Sequence, residues 1–211
     1  MDMQETFDPR WYRRAFHTFA ACLIAYYLIP ENTGNLLWLY VLKRAVVVSV
    51  MCILIFVEAI RLKGIIKTDV FFGLRLYERK RVCSYLYFGL ASSLLLLLFP
   101  QAIAVPCILC AAIVDPVMGE LRWVAQKWFS IAFGSVLSLG LFLVCNYNPL
   151  PAALGSCLVI LGEIGSNKYM DDDFTMQMMP AIGLILASVL MPGVGIIPPA
   201  VPPLITPVVI P

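Results

Sequence analysis

Residues 36–60 read LLWLYVLKRAVVVSVMCILIFVEAI, and only Lys43, Arg44 and Glu58 in the run carry charge. As a helix, this stretch is long enough to span a hydrocarbon core of roughly 30 Å. Lys43 and Arg44 stand about two turns inside its first end, within reach of the interface by snorkelling. The chain around it has the same character. Apolar residues make up 61% of the 211 and charged residues 13%, and the mean hydropathy is +0.89. These values exclude an ordinary soluble domain and predict an all-α, polytopic transmembrane helix bundle, a single integral membrane domain over residues 1–211.

Working outward, residues 1–13 form a polar lead-in with Trp11 and Tyr12 as interfacial anchors. A first apolar run covers Arg14 to Ile29, and the turn Glu31–Asn35 leads into the quoted span. Residues 61–81 mix charge with apolar pairs and suit a surface-lying or re-entrant segment. Val82 to Phe99 makes a third span. Ala102 to Val114 makes a fourth, expected to stop at Asp115-Pro116 because a proline disfavours helix at the residue before it. A fifth span ends at Cys145, a sixth covers Leu150 to Gly162, and a seventh runs from Met178 to Met191. Residues 193–211 hold six prolines in an apolar tail, where a regular helix is not expected. About seven spans result.

The seven cysteines lie almost entirely in apolar runs and read as buried hydrophobes; Cys107 and Cys110 have metal-site spacing but no second ligand pair. Asp2, Glu5 and Asp8 precede the first basic residue, so a removable signal peptide is not expected. A net charge of +2 gives no footprint for nucleic acid.

Charge is distributed unevenly along the spans. The lead-in and the connections after the second, fourth and sixth spans hold thirteen of the fifteen Lys and Arg residues, and twelve of the thirteen acids once Glu58 is counted. By the positive-inside tendency that face is cytoplasmic. The tendency accounts for the cations but not for the carboxylates beside them. A phosphate-handling site uses both signs: cations hold phosphate oxygens, and acids hold Mg²⁺ or act as base. The sixth connection concentrates the acids, with Glu163 followed by Asp171, Asp172 and Asp173. By themselves three adjacent aspartates read as a solvated loop. Beside Glu163, Asp115 and the basic residues of the same face, metal–phosphate binding is the better reading. Other features have plainer explanations: Arg13 and Arg14 as a topology anchor with His17 interfacial, Glu58 and Arg61 as a helix pair, and residues 75–81 as a headgroup-binding patch.

Four motifs, in order, resemble the polyprenol kinase family, which includes dolichol, phytol and CTP-dependent diacylglycerol kinases. Arg13-Arg14-Ala-Phe-His17 resembles the family's Arg-Lys-x-x-His. Glu58 with Arg61, then Arg75 to Glu78 ahead of Ser84–Gly89, resembles its second-to-third-helix region. Asp115 with Gly119 stands where the family has the Asp that opens its nucleotide loop. Glu163 and Asp171-Asp172-Asp173-Phe-Thr175 resemble its late Glu and Asp-Asp-Asn-Leu-Thr. In place of the family's glycine- and lysine-rich loop, residues 120–135 offer Arg122, Lys127, Gly134 and Ser135.

The resemblance implies transfer of the γ-phosphoryl group of a nucleoside triphosphate, CTP in the relatives, to the hydroxyl of a lipid alcohol in the bilayer. It implies Mg²⁺ at Asp115, Asp171, Asp172 and Asp173, with catalysis by His17, Glu163 and Asp115, either His17 or Glu163 being the base. Nucleotide contacts fall to Arg122, Lys127, Gly134, Ser135, Arg75 and Glu78. A CDP-lipid-forming cytidylyltransferase and a non-catalytic lipid-binding or transport protein on the same scaffold are the alternatives, and a homo-oligomer is left open.

Overall fold

The computed structural model describes residues 9–29, 37–66, 78, 81–165 and 170–197. Among these the chain is all-α, without strands. Helix α1 (Pro9–Phe19) tightens into a 3₁₀ stretch, Ala20–Leu28, and α2 covers Leu37–Leu62. Next come α3 (Ser84–Leu98), α4 (Gln101–Leu109), a π-turn at Cys110–Val114 and α5 (Asp115–Val124). The last three helices are α6 (Lys127–Val144), α7 (Pro149–Ile164) and α8 (Asp172–Leu190), with a short 3₁₀ turn at Pro192–Val194.

Four helical stretches are long and apolar enough to cross a membrane: Trp38–Leu62, Gln101–Val124, Lys127–Val144 and Asp172–Leu190. Two further apolar helices, α3 and α7, have 15 and 16 residues. At 1.5 Å per residue they reach only about 22–24 Å. Among the described residues, then, four of the seven expected spans have full length. Helix α2 is rich in β-branched residues, which are mediocre helix formers in water. In hydrocarbon the backbone must satisfy itself within the segment, so such a sequence is helical there. Its outward side chains fit that surrounding: Trp38, Val46, Ile53 and Phe56 are all exposed.

The rod α4–π-turn–α5 is the core. Ile103, Ala104, Cys107, Ile108, Cys110, Ala111, Ala112 and Val114 are fully buried, and α1, α6 and α8 pack on the rod. Helix α8 also packs on α7 and α3, while α2 leans on α3 at the periphery.

Two expectations fail here. The helix does not stop at Asp115-Pro116. It widens into the π-turn and continues to Val124, because Pro116 falls in the first turn of α5, where its missing N–H and fixed φ are tolerated. The seventh apolar helix does not begin at Met178. It begins at Asp172, with Asp171 in extended conformation as N-cap. The Asp171 carboxylate accepts from the Asp173 amide at 3.4 Å, and Asp172 and Asp173 occupy the first turn, where the helix dipole favours acids. The three aspartates start a helix instead of forming a loop. Residues 67–77 and 198–211, most of the expected surface segment and the proline-rich tail, lie outside the described residues.

Candidate functional site

Glycine 162 sets up the site. A Cβ at this position would lie 2.7 Å from the Thr175 carbonyl oxygen, so only glycine lets α8 approach α7 this closely. Thr175 Oγ1 fixes the contact by donating to the Gly162 carbonyl at 2.6 Å. The crossing brings Glu163, near the end of α7, against the first turn of α8. The start of α5 and the last turn of α1 complete the cluster.

Asp115, Glu163 and Asp172 each offer an oxygen, all within 4.8 Å of one another. His17, Asp115 and Asp173 form a second group on the same criterion, so Asp115 belongs to both. His17 Nδ1 stands 3.4 Å from Asp173 Oδ1 and 3.8 Å from Asp115 Oδ2. His17 is 2% exposed, Asp173 0% and Glu163 4%. Two charges 4 Å apart repel by about 1 kcal/mol in water and about 4 kcal/mol at an effective dielectric of 20. A cluster this acidic and this buried is relieved by positive charge or by protonation of some of its carboxyls.

Part of that charge is on the chain. Arg122 Nη2 donates to Glu163 Oε1, with the guanidinium half-exposed and the carboxylate buried. Arg14, on α1, pairs with Glu120 on α5. The other oxygen of Glu163, Oε2, is buried and makes no hydrogen bond among the described residues. An ionised oxygen in that state is costly unless a cation or a proton donor meets it.

The aspartate backbone is held from the far side. Gln177, one turn beyond Asp173, is completely buried; its Nε2 donates to the Asp173 carbonyl at 3.1 Å and its Oε1 accepts from Ser92 Oγ at 2.8 Å. Phe88 meets the His17 ring edge-on, with centroids 5.2 Å apart. Sequence reasoning passed over Gln177, Ser92 and Phe88. The signal was present in Gln177, a polar residue inside an apolar run four positions from Asp173 and so on the same helix face.

Of the residues singled out from sequence, the structure brings together His17, Asp115, Glu163, Asp172 and Asp173, with Asp171 capping beside them and Arg122 bonded to Glu163. Lys127 stands exposed at the start of α6. Gly134 and Ser135 belong to the body of α6. A Cβ on Gly134 would run into the Met118 side chain, and the Ser135 hydroxyl donates to Ile131 O within its own helix. Residues 120–135 are thus two helices joined at Ala125-Gln126, with no glycine loop to cradle phosphate. Arg75 lies outside the described residues.

Glu78 belongs to a separate arrangement. Arg61 bonds both oxygens of Glu58 at 2.6 Å and donates to the carbonyls of Glu78 and Arg81 at 3.1 and 2.6 Å. The Cys83 amide donates to Glu58 Oε1 at 2.7 Å, and its thiol to Oε2 at 3.4 Å. This clasp ties the chain ahead of α3 to the end of α2.

Comparison of the chain with protein families, with curated proteins and with solved structures finds no match.

Proposed function

We propose that the chain is an integral membrane kinase that phosphorylates a lipid alcohol from a nucleoside triphosphate, CTP being the donor that the sequence resemblance implies. The observation that carries this reading is the buried group of His17, Asp115, Glu163, Asp172 and Asp173 at the ends of apolar helices, with Arg122 at its rim. A lipid hydroxyl reaches such a site while its tail stays in hydrocarbon. With the charged connections cytoplasmic by the positive-inside tendency, the nucleotide arrives from the cytosol.

The donor set fits a hard divalent cation. It is rich in carboxylate oxygens, and the buried Glu163 Oε2 without a hydrogen bond is the kind of atom such an ion satisfies. Asp115, Asp172 and Glu163 would hold Mg²⁺, which when bound supplies charge to neutralise phosphate oxygens. His17, whose Nδ1 stands 3.4 Å from Asp173 Oδ1, takes the proton of the lipid hydroxyl. The hydroxyl oxygen forms a bond to the γ-phosphorus as the bond from that phosphorus to the β–γ bridging oxygen breaks. The nucleoside diphosphate leaves, and the lipid phosphate stays in the membrane. Arg122, the half-exposed cation at the rim, exchanges its bond to Glu163 for a phosphate oxygen.

The test is transfer of label from γ-labelled CTP, ATP, UTP and GTP to detergent-solubilised lipid alcohols, with a labelled lipid phosphate as the expected product. No transfer from any donor overturns the reading, and release of pyrophosphate with a CDP-lipid replaces it by cytidylyl transfer. The helical course of residues 120–135 favours a second reading, a lipid-binding or transport protein on this scaffold. Under that reading, no magnesium nucleotide shifts the thermal unfolding of the protein.

A further inference from the structure

An apolar cavity of about 420 Å³ opens between α1, its 3₁₀ continuation, α2 and α3. Phe16, Phe19 and Leu23 line it from the first, Val46, Val50 and Leu54 from α2. The third wall is one face of α3, from Tyr85 to Leu96. Along α3 that distance is about 16 Å at 1.5 Å per residue, close to the roughly 15 Å half-thickness of a bilayer's hydrocarbon core. Edge-on packing of Phe16 on Tyr85, with centroids 5.2 Å apart, joins α1 to α3 at the end of the groove nearest the acids.

Two residues connect the groove with the buried cluster. Phe88 forms part of the wall and meets the His17 ring edge-on, so one side chain touches both the groove and the imidazole. Ser92 also lines the wall and bonds Gln177, which holds the Asp173 carbonyl. Gly89 keeps the gap between α2 and α3 tight, since a Cβ there would lie 2.5 Å from Leu54 Cδ1.

We propose that this groove seats the hydrocarbon tail of the lipid alcohol, a single chain lying along α3 with its hydroxyl end towards Phe88 and His17. The inference rests on the lipid-kinase reading and adds the place where chain length is read. An apolar, leaflet-long groove selects for a long chain by the area that the chain buries. It discriminates little among head groups, which the cluster must recognise.

The test uses the full chain in detergent with a long-chain primary alcohol bearing a mid-chain diazirine. Irradiation is expected to label peptides from α1, α2 and α3, and excess unlabelled long-chain alcohol to suppress the labelling. Val50→Trp and, as a second variant, Val46→Trp fill the groove from exposed positions on α2, away from the cluster. Each is expected to lower the apparent affinity for the long-chain probe by roughly tenfold and to leave a short-chain alcohol unaffected. Labelling spread over all lipid-facing helices, or competition unchanged in both variants, overturns the proposal. Saturable groove labelling without phosphoryl transfer overturns the kinase reading alone. Transfer to long-chain alcohols that is indifferent to both variants overturns the groove alone.

Discussion

Two places in this molecule bury carboxylates where apolar helices end, and they treat them oppositely. At the end of α2, Glu58 has both oxygens on the Arg61 guanidinium and a further donor from Cys83 on each. Where α1, α5, α7 and α8 converge, carboxylates face one another, and among the described residues Glu163 Oε2 has no hydrogen bond. The first arrangement is complete on its own and holds the chain in place. The second has Arg122 on one oxygen of Glu163 and brings several acids within ligand distance of one another. Burial of acids is therefore a poor guide to function in this protein; the useful distinction is whether the chain itself supplies the opposing charge.

That distinction is open to direct attack, most severely at the clasp. Glu58→Ala strands the buried guanidinium of Arg61 and is expected to lower stability by about 4 kcal/mol, measured by denaturant unfolding in detergent. A loss below about 1 kcal/mol would make the clasp ornamental. Asp115→Asn is expected to do the reverse, leaving the unfolding midpoint unchanged or higher because a repelling charge is removed. Phosphoryl transfer should nevertheless fall by about 100-fold or more. If transfer survives in a folded Asp115→Asn protein, the cluster is not the reacting site.

Divalent cations sharpen the contrast. Mg²⁺ at about 100 times its dissociation constant should stabilise the protein by about 2.7 kcal/mol. The shift in thermal unfolding should vanish with chelator and shrink in Glu163→Gln. An identical shift in that variant would place the cation elsewhere. Gly162→Ala probes the scaffold under the cluster: the added methyl meets the Thr175 carbonyl and should cost about 2 kcal/mol, with cation affinity weakened as Glu163 moves from Asp172. Ser138→Ala is the mildest change. It removes a bond to Ser156 at 2.7 Å between α6 and α7, outside both arrangements, and should cost about 1 kcal/mol with cation affinity intact.

The long apolar helix was legible from composition alone: residues 36–60 in the sequence became Leu37–Leu62 in the structure, a stretch long and apolar enough to cross a membrane, where a backbone has no alternative to helix. Asp115-Pro116 misled for a physical reason. The proline rule is local, whereas the π-turn before Asp115 sits in a core packed by three other helices. The aspartates misled differently, since three acids ahead of an apolar run also carry the signature of a helix start, with Asp171 at the cap. Gly134 looked like a residue for approaching phosphate and instead makes room for Met118, a choice that only the partner helix reveals. The convergence of Asp115, Glu163 and Asp173 was suggested by the uneven distribution of charge, which groups residues by membrane face, whereas His17 joined them only through the resemblance. The charge distribution did not reveal that Asp115 is shared between two groups.

The π-turn at Cys110–Val114 amounts to one surplus residue in an otherwise α-helical rod. Each residue turns a helix by about 100°, and the wide turn takes up that extra rotation locally, so loss of a single codon there would restore regular winding and leave the direction of Asp115 almost unchanged. The buried apolar rod before it would remain almost unaltered. Loss of a codon between Asp115 and Arg122, where the helix is regular, would instead turn Arg122 about 100° away from Glu163.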